Sequence, residues 1–193
     1  MARRGAIGAV LAGGDGRRIG GDKATIELAG RPLLHYPLAV VRAVVDEVAV
    51  VAKASTVLPS LDADVTIWLE PDAPRHPLAG VVHALVRARG RPVIVVAGDM
   101  PFVSRALVNA LARERTRGAP AVVPRAGGRV HPLCGRYEQS ALAALTAFDP
   151  GAPIEETVGA LRPRILDWPE EEPFFKVTRP EALLQAAAML DTR

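Results

Sequence analysis

Apolar positions along the chain fall into two alternating rhythms. Continuous runs rich in β-branched residues occur at Ile7–Ala12, Val48–Ala52, Val65–Leu69, Val93–Ala97 and Ala121–Pro124. This is the pattern of strands buried on both faces of a parallel sheet. Between them, apolar residues recur at helical spacing. Leu33, Leu34, Leu38, Val41 and Val45 share one face, and so do Val81, Val82, Leu85 and Val86. Leu107 and Leu111 mark a third helix, with Ser104 suited to cap its first turn. Strand and helix in this succession predict βαβ units, hence a parallel sheet with helices on both faces.

The last third departs from that rhythm. A turn signal at Ala126-Gly127-Gly128-Arg129 separates Val122-Val123-Pro124 from Val130–Tyr137, which predicts an antiparallel hairpin. Helices are expected at Ser140–Phe148, Ile154–Leu161 and Pro180–Leu190, with Pro180 in a first-turn position. Pro169–Pro173 is expected to be a surface loop. With no internal repeat and no low-complexity tract, the chain reads as one α/β domain over residues 1–193.

Composition narrows the function classes. At 193 residues, 49% hydrophobic and 23% charged, the chain is long enough for a core that buries roughly 70% of the unfolded surface. Lys plus Arg is 24 and Asp plus Glu is 21, so the net charge is only +3, and the three lysines (Lys23, Lys53, Lys176) form no basic block. No nucleic-acid partner is therefore expected. Cys134 stands alone, which removes a disulfide framework and a cysteine-rich zinc site and suits a reducing cytoplasm. The apolar runs are far shorter than the roughly 20 residues of a membrane span. The opening Met-Ala-Arg-Arg and its short, glycine-broken apolar stretch reads as a first buried strand, not an export signal.

The segment that carries most chemistry follows that first strand. Leu11-Ala12-Gly13-Gly14-Asp15-Gly16-Arg17-Arg18-Ile19-Gly20-Gly21-Asp22-Lys23 holds five glycines and three cations. Glycines let successive backbone N–H groups converge on an anion, and the cations add full charge at the rim. The carboxyl edge of a parallel sheet is also where ligands bind, so a polyphosphate is the natural occupant; a plain surface loop is the alternative. Ile19 breaks a GxGxxG fingerprint, and Asp22-Lys23-Ala24 lacks the hydroxyl of a Walker A loop. Strand Val93–Ala97 runs into Gly98-Asp99-Met100-Pro101, placing a carboxylate at the same edge. Magnesium takes one or two carboxylates and completes its octahedron with phosphate oxygens and water. His35 and His83 sit in helical patterns, no HExxH spacing occurs, and Cys134 reads as a small core residue.

The loop resembles the nucleotidyltransferase signature Leu-Ala-Gly-Gly-x-x-x-Arg-hydrophobic-Gly-x-x-Lys, with one extra glycine before Asp22-Lys23. Its Leu-Ala-Gly-Gly opening and Asp-Lys-Ala ending look most like the molybdenum cofactor guanylyltransferase (MobA-like) family; related cytidylyltransferases typically read Leu-Ala-Ala-Gly. Gly98-Asp99-Met100-Pro101, Pro77-Leu78-Ala79-Gly80 and His131-Pro132-Leu133 resemble further elements of that family. His76 stands where the family usually has glycine. Phe174–Glu181 lies at the family's Phe-x-Asn-hydrophobic-Asn-Thr-Pro-Glu element, with Lys176 and Thr178 replacing both asparagines.

The resemblance implies a three-layer α/β/α, Rossmann-like fold with a small antiparallel hairpin on the acceptor side. Residues 1–103 would bind nucleotide and residues 104–193 the acceptor. It implies that Leu11, Ala12, Gly13, Gly14, Lys23, Asp72 and Asp99 contact the nucleotide. Arg17, Lys23 and Asp99 would serve catalysis, with Asp99 holding Mg²⁺. Arg18, His131 and Lys176 would face the acceptor. The implied reaction is transfer of GMP from GTP to molybdopterin, with a molybdopterin-delivering or cofactor-accepting protein as a further partner. Cytidylyl transfer, a sugar or polyol phosphate acceptor, a non-catalytic nucleotide-binding module and an α/β interaction domain are the competing expectations.

Overall fold

The protein is described here from a computed structural model covering residues 5–13 and 23–192. The main sheet contains β1 (Ile7–Leu11), β4 (Val48–Lys53), β5 (Val65–Glu70), β6 (Val93–Ala97), β7 (Ala121–Ala126), β9 (Cys134–Tyr137) and β10 (Arg164–Asp167), in the order β10-β7-β9-β6-β1-β4-β5; β8 (Arg129–Val130) pairs with β7. The β1–β4, β1–β6, β4–β5 and β7–β10 pairs are parallel, whereas β9 runs antiparallel to both β6 and β7.

The expected layering is present. On one face α1 (His35–Arg42) and α3 (Arg105–Arg113) bury Leu38, Val41, Leu107, Val108 and Leu111 against Val10, Val50, Ile94 and Val96. On the other, α2 (Pro77–Arg87), α4 (Leu142–Thr146) and α5 (Ile154–Ala160) cover Ala9, Val51, Trp68 and Val95 with Leu78, Val81, Leu85, Leu145 and Val158. The last helix, α6 (Pro180–Asp191), closes a smaller cluster with Leu28, Leu33 and Phe102. Ser104 caps α3, its hydroxyl accepting from Leu107 N–H at 3.1 Å. Among the described residues, no helix is long and apolar enough to cross a membrane.

Several local expectations are corrected. The buried stripe of α2 is Leu78, Val81, Ala84 and Leu85, and Val86 faces outward; the i, i+3, i+4 spacing from Leu78 won over the apolar pair at its end. The hairpin after β7 forms, but its return strand is broken at His131–Leu133 into β8 and β9. Pro132, which has no N–H to give a ladder, sits in the break. Three short strands were not anticipated. A two-residue turn at Ala29-Gly30, both at positive φ, joins β2 (Glu27–Leu28) to β3 (Arg31–Pro32). The edge strand β10 has only Ile165 and Leu166 as its apolar pair, between arginines and an aspartate.

The chain runs from β1 outward through β4 to β5, then returns to place β6 on the other side of β1. The carboxyl ends of β1 and β6 therefore flank a switch point, where an open parallel sheet leaves a crevice. Close packing of α1 over β1 requires Gly8, whose added Cβ would run into Val41 and Val45. We predict that Gly8→Ala lowers unfolding free energy by about 1–3 kcal/mol in urea titrations, whereas Gly5→Ala, with nothing within 4 Å, stays within about 0.5 kcal/mol.

Candidate active site at the strand ends

The crevice is a cleft of about 300 Å³. Its floor is the ends of the two central strands, Leu11-Ala12-Gly13 after β1 and Ala97-Gly98-Asp99 after β6. Lys23, Ala24 and Leu34 close one side; Lys53, Glu70 and the start of α2 (Arg75, His76, Pro77, Gly80) close the other, with Leu133 completing the lining. Among the described residues, the Lys23–Asp99 and Lys53–Glu70 ion pairs stand in it.

Lys23 Nζ donates to Asp99 Oδ2, with the two side chains 20% and 13% exposed. The other Asp99 oxygen, Oδ1, is buried and has no hydrogen-bond partner among the described residues. A buried carboxylate oxygen left without a donor has lost its water for nothing unless a ligand satisfies it. Among the described residues no three acidic, histidine or cysteine side chains gather to hold a metal alone. One free carboxylate oxygen is the donor set expected for a hard cation that takes its other ligands from phosphate and water.

The second pair was missed in the sequence. Lys53 and Glu70 are the last residues of β4 and β5 and lie opposite each other in the parallel register. Lys53 Nζ is 3.4 Å from Glu70 Oε1 and donates to the Pro71 carbonyl at 2.8 Å, and both side chains are 7% exposed. Glu70 Oε2 is buried without a partner among the described residues. The carboxylate is pressed between Gly13, where an added Cβ would strike it, and Gly80, whose added Cβ would stand 3.2 Å from Oε2. Burial pushes the Glu70 carboxyl above its usual range, and Lys53 pulls it back down.

Of the residues expected to contact a nucleotide, Leu11, Ala12, Gly13, Lys23 and Asp99 come together in this cleft. Gly14, Arg17 and Arg18 lie outside the described residues. Asp72 is exposed and is not part of the cleft wall; the acidic side chain that faces the cleft from that stretch is Glu70. The signal lay in the strand itself: a carboxylate ending an apolar run, as at Asp99, but counted to the loop because it was charged. His76, left without a role in the sequence, caps α2, its Nδ1 accepting from Leu78 N–H at 3.2 Å.

The acceptor-side candidates cluster beside the cleft. The His131 ring stacks on Phe174 with centroids 3.9 Å apart, and Lys176 acts on both His131 and Cys134 through space. Val177 N–H donates to the Asp99 carbonyl at 2.9 Å, which ties this segment to the loop after β6. Burial drives the Cys134 thiol up to about 12, with Lys176 opposing, so it is an inert core group.

A family model described as a MobA-like NTP transferase domain matches residues 8–162. A molybdenum cofactor guanylyltransferase of Cereibacter sphaeroides is 35% identical over 193 residues, covering 95% of this chain and 96% of that protein. Among solved structures, molybdopterin-guanine dinucleotide biosynthesis protein A from Archaeoglobus fulgidus superposes with a TM-score of 0.74 at 23% identity, over 97% of this chain and 100% of that one. A Mycobacterium tuberculosis protein solved as a complex with manganese gives 0.73 at 18% identity, over 95% and 98%. At these identities the structures share the fold.

The half-buried His131, stacked on Phe174, gives a pH test. Burial, the largest influence, depresses the His131 pKa below 6.5, partly offset by the Ala126 carbonyl on its ring. The unfolded chain therefore takes up the proton first as pH falls. The stability this group contributes is complete above about 6.5 and is lost as pH drops through the folded value. We predict that urea midpoints fall less between about pH 7.5 and pH 5.5 in His131→Gln than in the parent chain. Equal slopes would show that His131 titrates alike in both states.

Proposed function

The chain belongs to the MobA-like NTP transferase family, and from that premise we propose that it transfers GMP from GTP to molybdopterin, releasing pyrophosphate. The observation that carries this reading is the convergence of Lys23, Asp99 and Glu70 on one cleft at the ends of β1, β5 and β6. A phosphate oxygen of the acceptor attacks the α-phosphorus of GTP; a new P–O bond forms and the bond to the β-phosphate oxygen breaks, its electron pair leaving with pyrophosphate. A phosphate nucleophile is already ionised at neutral pH, so positioning and charge neutralisation are what the protein must supply.

Each residue has a part in that scheme. Backbone groups of Ala12 and Gly13 face the nucleotide where no side chain intervenes. Lys23 neutralises charge that accumulates on the leaving pyrophosphate. Asp99 is the residue that would hold a divalent ion, Mg²⁺ in our proposal; when bound, that ion supplies Lewis-acid neutralisation of the phosphates. Residues 1–103 form the nucleotide half, and His131 and Lys176, from residues 104–193, face the acceptor.

Glu70 supports guanine as the base. An ionised carboxylate only accepts hydrogen bonds. Guanine offers two adjacent donors, N1–H and the N2 amino group, to one carboxylate. Adenine and cytosine each place an acceptor ring nitrogen beside a single amino group. The unpartnered Oε2 of Glu70 fits a donor pair and repels the other two edges.

The test is Mg²⁺-dependent pyrophosphate release from GTP, CTP and ATP, each with and without molybdopterin. Release should require GTP and molybdopterin together. Release with CTP instead would overturn the base, and GTP binding without release would overturn the acceptor. Lys23→Ala and Asp99→Ala should each lower kcat/KM by about 10²–10³-fold while thermal melts remain cooperative. Near-normal turnover in either variant would remove that residue from the scheme.

A further inference from the structure

The Lys53–Glu70 pair carries an inference that rests on the guanine reading above and deepens it. We infer that Lys53 is a specificity-positioning residue: its ammonium, fixed between Glu70 and the Pro71 carbonyl, keeps the Glu70 carboxylate an acceptor-only group facing the base. Lys53 itself has its Nζ committed, 3.4 Å from Glu70 Oε1 and 2.8 Å from the Pro71 carbonyl. It sets the base through its partner.

The physical need for such a clamp follows from the surroundings. Glu70 is wedged against Gly13 and Gly80, both without side chains, so neither supplies a donor to it beyond the main chain. Oε2 is buried with no partner, and burial favours the neutral acid. Among the described residues, Lys53 is the cation that acts on it. The other ionisable groups lining the cleft are Arg75 and His76 at the start of α2, and Lys23 with Asp99. Of these, His76 is turned to its capping bond and Lys23 to Asp99.

Protonation of Glu70 would change what it recognises. A neutral carboxylic acid presents one donor and one acceptor, which matches adenine's N1 and N6 amino group, or cytosine's N3 and N4 amino group. It no longer matches the two donors of guanine. Charge on Glu70 is therefore the discriminating feature, and Lys53 maintains it across neutral pH.

The experiment measures GTP and ATP dissociation constants on the intact protein, by calorimetry without acceptor, from about pH 6 to about pH 8.5. The parent chain should prefer GTP with a ratio that is flat across this range. In Lys53→Met the GTP-over-ATP ratio should fall by about tenfold or more toward the acid end, following the proton taken up by Glu70. Lys53→Arg should restore the flat profile, which a merely structural role would not predict. A Lys53→Met profile parallel to the parent at every pH overturns the inference. If Lys53→Met does not fold, Glu70→Gln carries the test, since an amide mimics the neutral acid. Its GTP-over-ATP ratio should drop about tenfold at all pH values, and an unchanged ratio overturns the inference. A parent chain with no preference for GTP sinks the guanine reading itself, a result distinct from either variant outcome.

Discussion

The cleft depends on one backbone approach. Gly98 N–H donates to the Leu11 carbonyl at 2.9 Å, extending the β1–β6 pairing one residue beyond its last ladder partners, Leu11 and Ala97. A Cβ at residue 98 would stand 2.9 Å from that carbonyl oxygen and 3.0 Å from Leu34 Cδ1, closer than real side chains come. Only glycine lets the two strand ends stay joined there. Asp99 then leaves the sheet at a fixed point, held from the other side by Val177 N–H on its own carbonyl. The position of the carboxylate is thus set by main-chain bonds on both sides, before any side-chain interaction acts.

Two ion pairs stand on that frame, and they differ in what a ligand can do to them. Lys53 and Glu70 are both 7% exposed, whereas Lys23 and Asp99 are 20% and 13% exposed. Burying opposite charges costs desolvation that their attraction only partly offsets, so neither pair is a strong net source of stability. Under the proposed function their retention makes sense as pre-organisation. An incoming phosphate competes with Asp99 for Lys23, at the more accessible pair. Phosphate binding and release of the Asp99 oxygen are then linked, each favouring the other. The Lys53–Glu70 pair lies deeper and at the strand ends, where it has no such competitor and stays closed.

Much of this was legible in the chain, and the misses have a common physical cause. Buried parallel strands write themselves as apolar runs, so β1, β4, β5, β6 and β7 were placed within a residue or two. The same rule stopped β4 at Ala52 and β5 at Leu69, because charge was taken to mean solvent. Lys53 and Glu70 each satisfy the other across the register, and a pairing between residues 17 positions apart cannot be seen from either run alone. Asp72 was expected there from the family resemblance, while the acid that faces the cleft is Glu70. β10 was lost because an edge strand beside β7 needs only Ile165 and Leu166 to seat it. The glycine loop's spacing was legible, but Arg17 and Arg18 lie outside the described residues.

A local motif can change while the contacts that anchor its segment persist. The stretch Phe174–Glu181 lacks the two asparagines of the family element it resembles. What secures the segment in the structure is independent of them: Phe174 is buried against the His131 ring, and the Val177 amide bonds the Asp99 carbonyl. Lys176 is half-buried and Thr178 exposed, flanking the anchored Val177. Substitution at residues 176 and 178 therefore alters the chemistry presented beside Asp99 without cutting the strap that holds it. A lysine in place of an amide adds a full positive charge within reach of His131. Under the proposed function, an acceptor that brings a phosphate to the cleft would meet a charge here where asparagine would offer a hydrogen bond. Attraction of this kind tolerates looser geometry than a directed amide contact, so the changed element and an anionic acceptor are compatible.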